Sequence, residues 1–235
     1  MRTDDSGIIG WAKNSFIDFP GTVSTVLFFS GCNLRCPYCH NPQIVHKTSL
    51  EEIPYARVRE FLEKRKDVIE GVVLSGGEPT MHPGLLDIAK DIRSLGILIK
   101  LDTNGLRPGV IRAVGADYLA LDIKTRPREY VALLKSPYAD TPERLASSIE
   151  IAQSMGDKAE VRITAAPGII DRAVIIELAQ LLNGARKVFI QPMQTRVELL
   201  DPEMRDKAPI PVSELAEYRE ILLQFVDKCE IRGGQ

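Results

Sequence analysis

Val72-Val73-Leu74-Ser75-Gly76-Gly77-Glu78-Pro79 is a short apolar run that breaks into two glycines, an acid and a proline. Aliphatic residues in an unbroken row, with no polar alternation, read as a strand covered on both faces. The period then changes. Leu85, Ile88, Ala89, Ile92 and Leu95 stand three or four apart, which lines one face of a helix, and Gly96 follows as a residue suited to closing it. A second apolar run, Ile97–Asp102, comes next. Strand, helix and strand in this order form a crossover unit, the connection that parallel strands require.

The same rhythm extends both ways. Further strands are expected at Thr22–Phe29, Tyr118–Asp122, Glu160–Thr164 and Lys187–Gln191, six in all. Helical stripes lie between them: Val58, Phe61 and Leu62; Leu145, Ile149 and Ala152; Ile175, Leu178, Ala179 and Leu182. Thr48-x-x-Glu51 and Ser49-x-x-Glu52 are overlapping capping boxes ahead of the first stripe, with Pro54 near the first turn. Gly71, Gly96, Gly115, Gly156 and Gly184 each fall between a helix and the next strand, as left-handed caps would. Six units are fewer than the eight of a closed barrel of about 250 residues. The expected fold class is α/β, a partial (βα)6 barrel with parallel strands, ahead of an open doubly wound sheet. No linker divides the chain, so residues 1–235 read as a single domain with a core of about 22–191. Gln194–Ile210, with Pro202 and Pro209, reads as a long loop before a final helix at about Pro211–Asp227.

Composition narrows the function. Thirty basic residues against 32 acidic ones leave a net charge of −2, which argues against a polybasic nucleic-acid surface. No apolar run reaches the roughly 20 residues of a membrane span, and Met1–Asp5 is charged where a secretory signal would be apolar. A cytoplasmic enzyme is the expectation, with no nucleic-acid or membrane partner. The four cysteines agree: Cys32, Cys36 and Cys39 crowd together while Cys229 stands alone. A secreted disulfide scaffold spreads its cysteines, whereas a crowded trio in the cytosol points to metal or redox chemistry.

Parallel α/β sheets bind ligands at the carboxyl ends of their strands. Here those ends read Ser30-Gly31-Cys32, Ser75 through Pro79, Asp102-Thr103-Asn104-Gly105, Asp122-Ile123-Lys124, Arg162-Ile163-Thr164 and Gln191-Pro192-Met193. Turns favour Asp, Asn and Gly in any protein. Polar groups at all six ends, however, suggest a shared site. The first end continues as Cys32-Asn33-Leu34-Arg35-Cys36-Pro37-Tyr38-Cys39-His40-Asn41-Pro42, a C-x3-C-x2-C spacing. Structural zinc closes four ligands, and His40, directly after Cys39, is awkwardly placed to be the fourth. A four-iron cluster normally takes four thiolates, so three leave one iron open to a small molecule. Cys229 is the further thiol that could fill that corner; it is expected to be a bystander.

With an aromatic just before its last cysteine, this motif resembles the radical S-adenosylmethionine superfamily, and Gly76-Gly77-Glu78-Pro79 resembles that superfamily's second signature. The match spans residues 22–191, and the superfamily's fold is a partial (βα)6 barrel. Cys36-Pro37-Tyr38-Cys39-His40-Asn41-Pro42 is similar to the activating enzymes of glycyl-radical enzymes. Ser15-Phe16-Ile17-Asp18-Phe19-Pro20-Gly21 resembles the opening of activases of anaerobic ribonucleoside-triphosphate reductase.

The resemblance implies a [4Fe–4S] cluster on Cys32, Cys36 and Cys39, with S-adenosylmethionine on the open iron. Reductive cleavage would give a 5′-deoxyadenosyl radical, which abstracts hydrogen from a glycine of a partner glycyl-radical enzyme, here anaerobic ribonucleotide reductase. The alternative substrate is a small molecule of nucleoside or cofactor biosynthesis. A zinc or electron-transfer module without catalysis is the rival from another class. Gly76 and Gly77 would bring backbone close to the methionyl part of the ligand. Glu78 would meet its ammonium or cap the following turn. Tyr38 would lie against the adenine, with Asn41 near the ligand and Asn104 a further cofactor-binding residue. Asp102 is suited to the ribose hydroxyls or a cation, and Asp102, Thr103 and Asp122 match the ligands of a monovalent cation in the pyruvate formate-lyase activase. Lys124 and Arg162 suit the ligand's carboxylate, unless they pair with Asp102 or Asp122. Gln191 stands two or three residues before the place where the related motif carries a histidine. Because Gln43–Gly71 holds no cysteine, electrons are expected from an external protein such as flavodoxin or ferredoxin. His40 either shields the cluster or sits satisfied in its loop. Exposed places are expected for His46 and His82, a covering role for Trp11 and Phe16, and a solvated helix face for Glu51, Glu52, Arg57, Arg59, Glu60 and Glu63.

Overall fold

The computed structural model describes residues 6–46 and 51–233. All six expected strands form: β2 (Ser24–Phe29), β3 (Gly71–Gly76), β4 (Leu98–Thr103), β5 (Tyr118–Ile123), β6 (Ala159–Ala165) and β7 (Lys187–Pro192). Two more flank them, β1 (Ile8–Ser15) and β8 (Lys228–Ile231). Strand order follows chain order from β1 to β8. β1 runs antiparallel to β2, while β2–β3, β3–β4, β6–β7 and β7–β8 are parallel pairs. The helices are α1 (Pro42–His46), α2 (Tyr55–Arg65), α3 (Leu85–Ser94), α4 (Pro108–Val114), α5 (Tyr130–Leu134), α6 (Thr141–Met155), α7 (Arg172–Leu181) and α8 (Val212–Leu222). Among the described residues no helix is long and apolar enough to cross a membrane.

The chain divides into two compact units, one from the described residues of 1–32, 43–103 and 109–119, the other from those of 33–42, 104–108 and 120–235. In the first, Phe19, Val26, Val73 and Tyr118 form a buried cluster with Ala12 and Phe28 against it. The α3 stripe of Leu85, Ile88, Ala89 and Ile92 is buried as its spacing requires. In the second, α6 buries Leu145, Ile149 and Ala152, and α7 buries Ile175, Leu178 and Ala179.

Several expectations change. The capping-box residues Thr48 and Ser49 lie outside the described residues. Glu51 and Glu52 precede α2, which starts only at Tyr55 behind Pro54, so these two acids are not part of its face. Gly96, Gly115, Gly156 and Gly184 are left-handed, but Gly71 is not. It opens β3, where a Cβ would meet the Phe19 ring at 2.6 Å, so the strand needs its small size and not its torsional freedom. The last helix ends at Leu222, and the chain returns as β8 with Cys229 beside Val188 of β7. Trp11 does pack, edge-on to Phe61 at 4.9 Å and bonded through Nε1 to Thr25 Oγ1 at 2.7 Å. Phe16 does not: it is 76% exposed on the turn after β1. His82 is half-buried beside Phe29, with Nδ1 accepting from Gly84 N. The side chain of His46 is not among those described.

Candidate functional site

β2 and β3 bring two glycine-bearing strand ends together. Their register pairs Phe29 with Gly76, just before each chain leaves the ladder. Gly77 N donates to Phe29 O and Glu78 N to Gly31 O, both at 2.9 Å. A Cβ on Gly77 would stand 2.0 Å from Gly31 O, and one on Gly76 2.3 Å from Phe29 N. Gly76 also has φ +120°, which side-chain-bearing residues rarely adopt. The two glycines therefore seat this turn against the residue preceding Cys32. The amides of Gly77 and Glu78 are both spent on β2 and its extension, so neither is offered to a ligand.

Glu78 takes the capping role. Its Oε1 accepts from Thr80 N at 3.1 Å, Thr80 Oγ1 at 2.5 Å and Thr103 Oγ1 at 2.7 Å, and the residue is 1% exposed. A buried carboxylate is tolerable when donors surround it in this way. Next on β4, Asp102 accepts from Ser75 Oγ at 3.3 Å and pairs with Lys100 Nζ at 2.6 Å. Lys100 is 3% exposed.

In the second unit, Cys39 N donates to Cys36 O at 2.9 Å, closing a tight turn over Pro37 and Tyr38. Two backbone bonds from far along the chain hold that turn: Leu200 N to Cys39 O and Asp201 N to Pro37 O, both 2.9 Å. The expected loop after β7 thus includes a docked stretch, with Leu199 and Met204 buried. Tyr38 is buried and its Oη points to Lys124 O at 3.4 Å; burial first, and the thiols of Cys36 and Cys39 among the charges around it, push its ionisation well up.

Lys124 and Arg162 converge on Asp122, at 3.1 and 2.6 Å. Burial opposes the charge on Asp122, but Arg162 and Lys124 outweigh it and hold the carboxyl well below its ordinary range. Half-buried Lys124 is opposed by desolvation too, yet Asp122 and Cys36 raise its proton affinity. Two cations on one carboxylate leave an excess positive charge beside Cys36, suited to a thiolate or an anionic ligand. Tyr130, fully buried, fixes this strand end by accepting Lys124 N at 2.8 Å. Asn104 Nδ2 donates to Asn33 Oδ1 at 2.7 Å and its Oδ1 accepts Leu106 N, so Asn104 braces the cysteine loop. Asn41 is half-buried ahead of α1, and Gln191 is half-buried in β7 opposite Thr164. His40 is exposed.

The sequence reading missed Lys100, Tyr130 and the Leu200–Asp201 contact. A charge inside the apolar run Ile99-Lys100-Leu101 was the available signal for the first; the other two leave none. None of the four cysteines is in a disulfide bond. Among the described residues no three His, Cys, Asp or Glu side chains gather as ligands of one metal ion would. A cluster asks for something else, since each cysteine takes a different iron. Three thiols within eight residues of sequence, the last two in a turn with the charge of Lys124 near Cys36, fit such a group.

A model of the radical SAM superfamily matches residues 26–182. Over 99% of this chain and 97% of its own length, a Methanocaldococcus jannaschii protein named "Putative glycyl-radical enzyme activating enzyme" is 30% identical. The pyruvate formate-lyase-activating enzyme of Clostridium pasteurianum is 28% identical over 86% of this chain and 94% of its own. Among solved structures, Streptococcus suis SuiB bound to its precursor peptide SuiA superposes with a TM-score of 0.64 at 15% identity, covering 88% of this chain and 48% of that one. That likeness bears on fold alone, and it agrees with the α/β partial (βα)6 barrel of parallel strands. The chain belongs to the radical S-adenosylmethionine superfamily, and within it to the glycyl-radical enzyme activating enzymes.

Proposed function

We propose that this chain, working as a single cytoplasmic domain, activates anaerobic ribonucleotide reductase by generating the radical on that partner's glycine. The observation that carries the reading is the C-x3-C-x2-C loop leaving β2, with no disulfide in it, in a chain that aligns over 99% of its length with a relative named as an activating enzyme. The resemblance of Ser15–Gly21 to the reductase activases supports the choice of partner. Bound at Cys32, Cys36 and Cys39, a [4Fe–4S] cluster with S-adenosylmethionine would supply the 5′-deoxyadenosyl radical that removes hydrogen from the glycine.

The chain's own residues bind and orient. Lys124 and Arg162, sharing Asp122, offer surplus positive charge to the ligand's carboxylate, Arg162 with a planar fork. Tyr38 lies in the cysteine turn as an apolar face for the adenine. Carbonyls of Gly76 and Gly77 remain for the ligand's ammonium, because Glu78 is committed to Thr80 and Thr103. Asn41, Asn104 and Gln191 would complete the polar surroundings, and Asp102, already held by Lys100 and Ser75, would add an acceptor for the ribose hydroxyls. Flavodoxin or ferredoxin would deliver the electron, since residues 43–71 carry no cysteines for an inserted cluster.

Anaerobic reconstitution with iron and sulfide, then reduction with S-adenosylmethionine present, tests this. The expected result is 5′-deoxyadenosine, with a glycyl doublet by EPR only when the reductase is added. Cys36→Ala should abolish both. Turnover that persists in Cys36→Ala refutes the cluster assignment; 5′-deoxyadenosine without a reductase doublet refutes the partner.

A further inference from the structure

Asp102, Thr103 and Asp122 match the positions that hold a monovalent cation in the pyruvate formate-lyase activase, yet in this chain their chemistry is already committed. Thr103 Oγ1 gives its proton to Glu78, and Asp122 is shared by Arg162 and Lys124. Most telling is Asp102, whose Oδ1 lies 2.6 Å from Lys100 Nζ while Oδ2 accepts Ser75 Oγ. Lys100 belongs to no part of the proposed reaction. It stands two residues before Asp102, on the same face of β4, because strand side chains alternate. Its register partner on β3 is Val73, an apolar residue of the buried cluster. A lysine 3% exposed and flanked by such a neighbour needs an anion, and Asp102 is the acid it pairs with.

We propose that the Lys100 ammonium is the built-in counter-ion of Asp102, taking the place of a sodium or potassium ion, so that this site is assembled and works without an added monovalent cation. The inference rests on the radical S-adenosylmethionine reading for its setting, but it concerns a charge balance that exists before any ligand binds. A tethered ammonium has a high local concentration and cannot diffuse away, so ionic composition should not regulate this strand end. Removing Lys100 leaves a carboxylate in a partly desolvated place, and a small cation from solution is the simplest group to replace the lost charge.

The test compares the reconstituted wild type with Lys100→Met at constant ionic strength in potassium, sodium or choline chloride, choline being too large to enter. Thermal midpoints and sodium-23 line widths are read without turnover, and S-adenosylmethionine affinity is measured by equilibrium dialysis. The wild type should show the same midpoint in all three salts, no sodium broadening beyond a bulk control, and affinity constant within about twofold, well under the 1.4 kcal/mol that marks a factor of ten. Lys100→Met should gain a midpoint that rises with sodium or potassium but not choline, as specific binding to the folded state requires. It should also gain a broadened sodium signal and an affinity at least about tenfold lower in choline, about 1.4 kcal/mol. Lys100→Arg should restore indifference to the salt. A wild type that loses about tenfold in affinity in choline overturns the proposal, as does a folded Lys100→Met with no preference among the salts. If Lys100→Met does not fold, the wild-type comparison decides alone. Failure of the activase reading would appear in the deoxyadenosine and EPR assays and would leave these readouts untouched.

Discussion

Replacing Gly77 with alanine probes the contact on which the site's first half is built. The new Cβ would stand 2.0 Å from Gly31 O and 2.7 Å from Gly31 C, both backbone atoms that cannot rotate aside. Ordinary carbon contacts begin at about 3.5 Å, so the two strand ends must part by about 1.5 Å. That movement takes the 2.9 Å bond from Glu78 N to Gly31 O beyond hydrogen-bonding range. Overpacking costs about 1–3 kcal/mol and an orphaned buried amide about as much again, so the expected loss is about 2–6 kcal/mol. Urea unfolding of the reconstituted protein followed by circular dichroism measures it, and at a slope of about 2–3 kcal/mol/M the midpoint should fall by about 0.7–3 M. Because the displaced residue precedes Cys32, 5′-deoxyadenosine formation should fall by about 100-fold even where the variant remains folded. Gly109→Ala is the control: it lies exposed in α4 with nothing within 4 Å of a Cβ, and should gain about 0.5–1 kcal/mol. A Gly77→Ala protein within about 0.5 kcal/mol of wild type, the scatter of neutral surface changes, would refute the argument.

Asp122→Asn should cost about 3 kcal/mol at pH 7, since it strands Arg162 and Lys124 without their shared anion. The folded carboxyl is depressed below its ordinary 3.8, so its contribution is complete above that pH and lost only as pH falls further. Unfolding free energies of the two proteins should therefore stay a fixed distance apart from pH 7 to about 4 and converge below; convergence already at pH 5–6 would contradict the pairing. Phe16→Ser should shift stability by less than about 0.5 kcal/mol, while Phe19→Ala, in the buried cluster, should cost about 3–5 kcal/mol. Equal effects in thermal melts would mean the turn after β1 is packed otherwise.

The strands legible in the sequence were those whose burial made them continuous apolar runs. β1 was not, because Ile8–Ser15 mixes Gly10, Lys13 and Asn14 with its apolar residues and pairs irregularly along β2. β8 has only four residues, two of them charged, a short way behind the helix that ends at Leu222. Strand ends stood out because polar residues there interrupt apolar runs, and that same focus concealed Lys100, which lies within a run. Glu78 shows a further limit. Its position was legible, but its three donors come from Thr80 and from Thr103, 25 residues away, and the choice between capping and ligand contact depends on that distant hydroxyl.

The two amides of Leu200 and Asp201 that hold Cys39 O and Pro37 O have a consequence for biosynthesis. The thiol-bearing turn is translated early, whereas the peptide groups that fasten it are translated late. A nascent chain therefore exposes its cysteines before the turn has its final partners. Iron and sulfide delivered during translation would meet a pliant loop; delivered after release, they would meet a shaped one. Where those two fasteners sit in the chain thus sets when the turn takes its final shape.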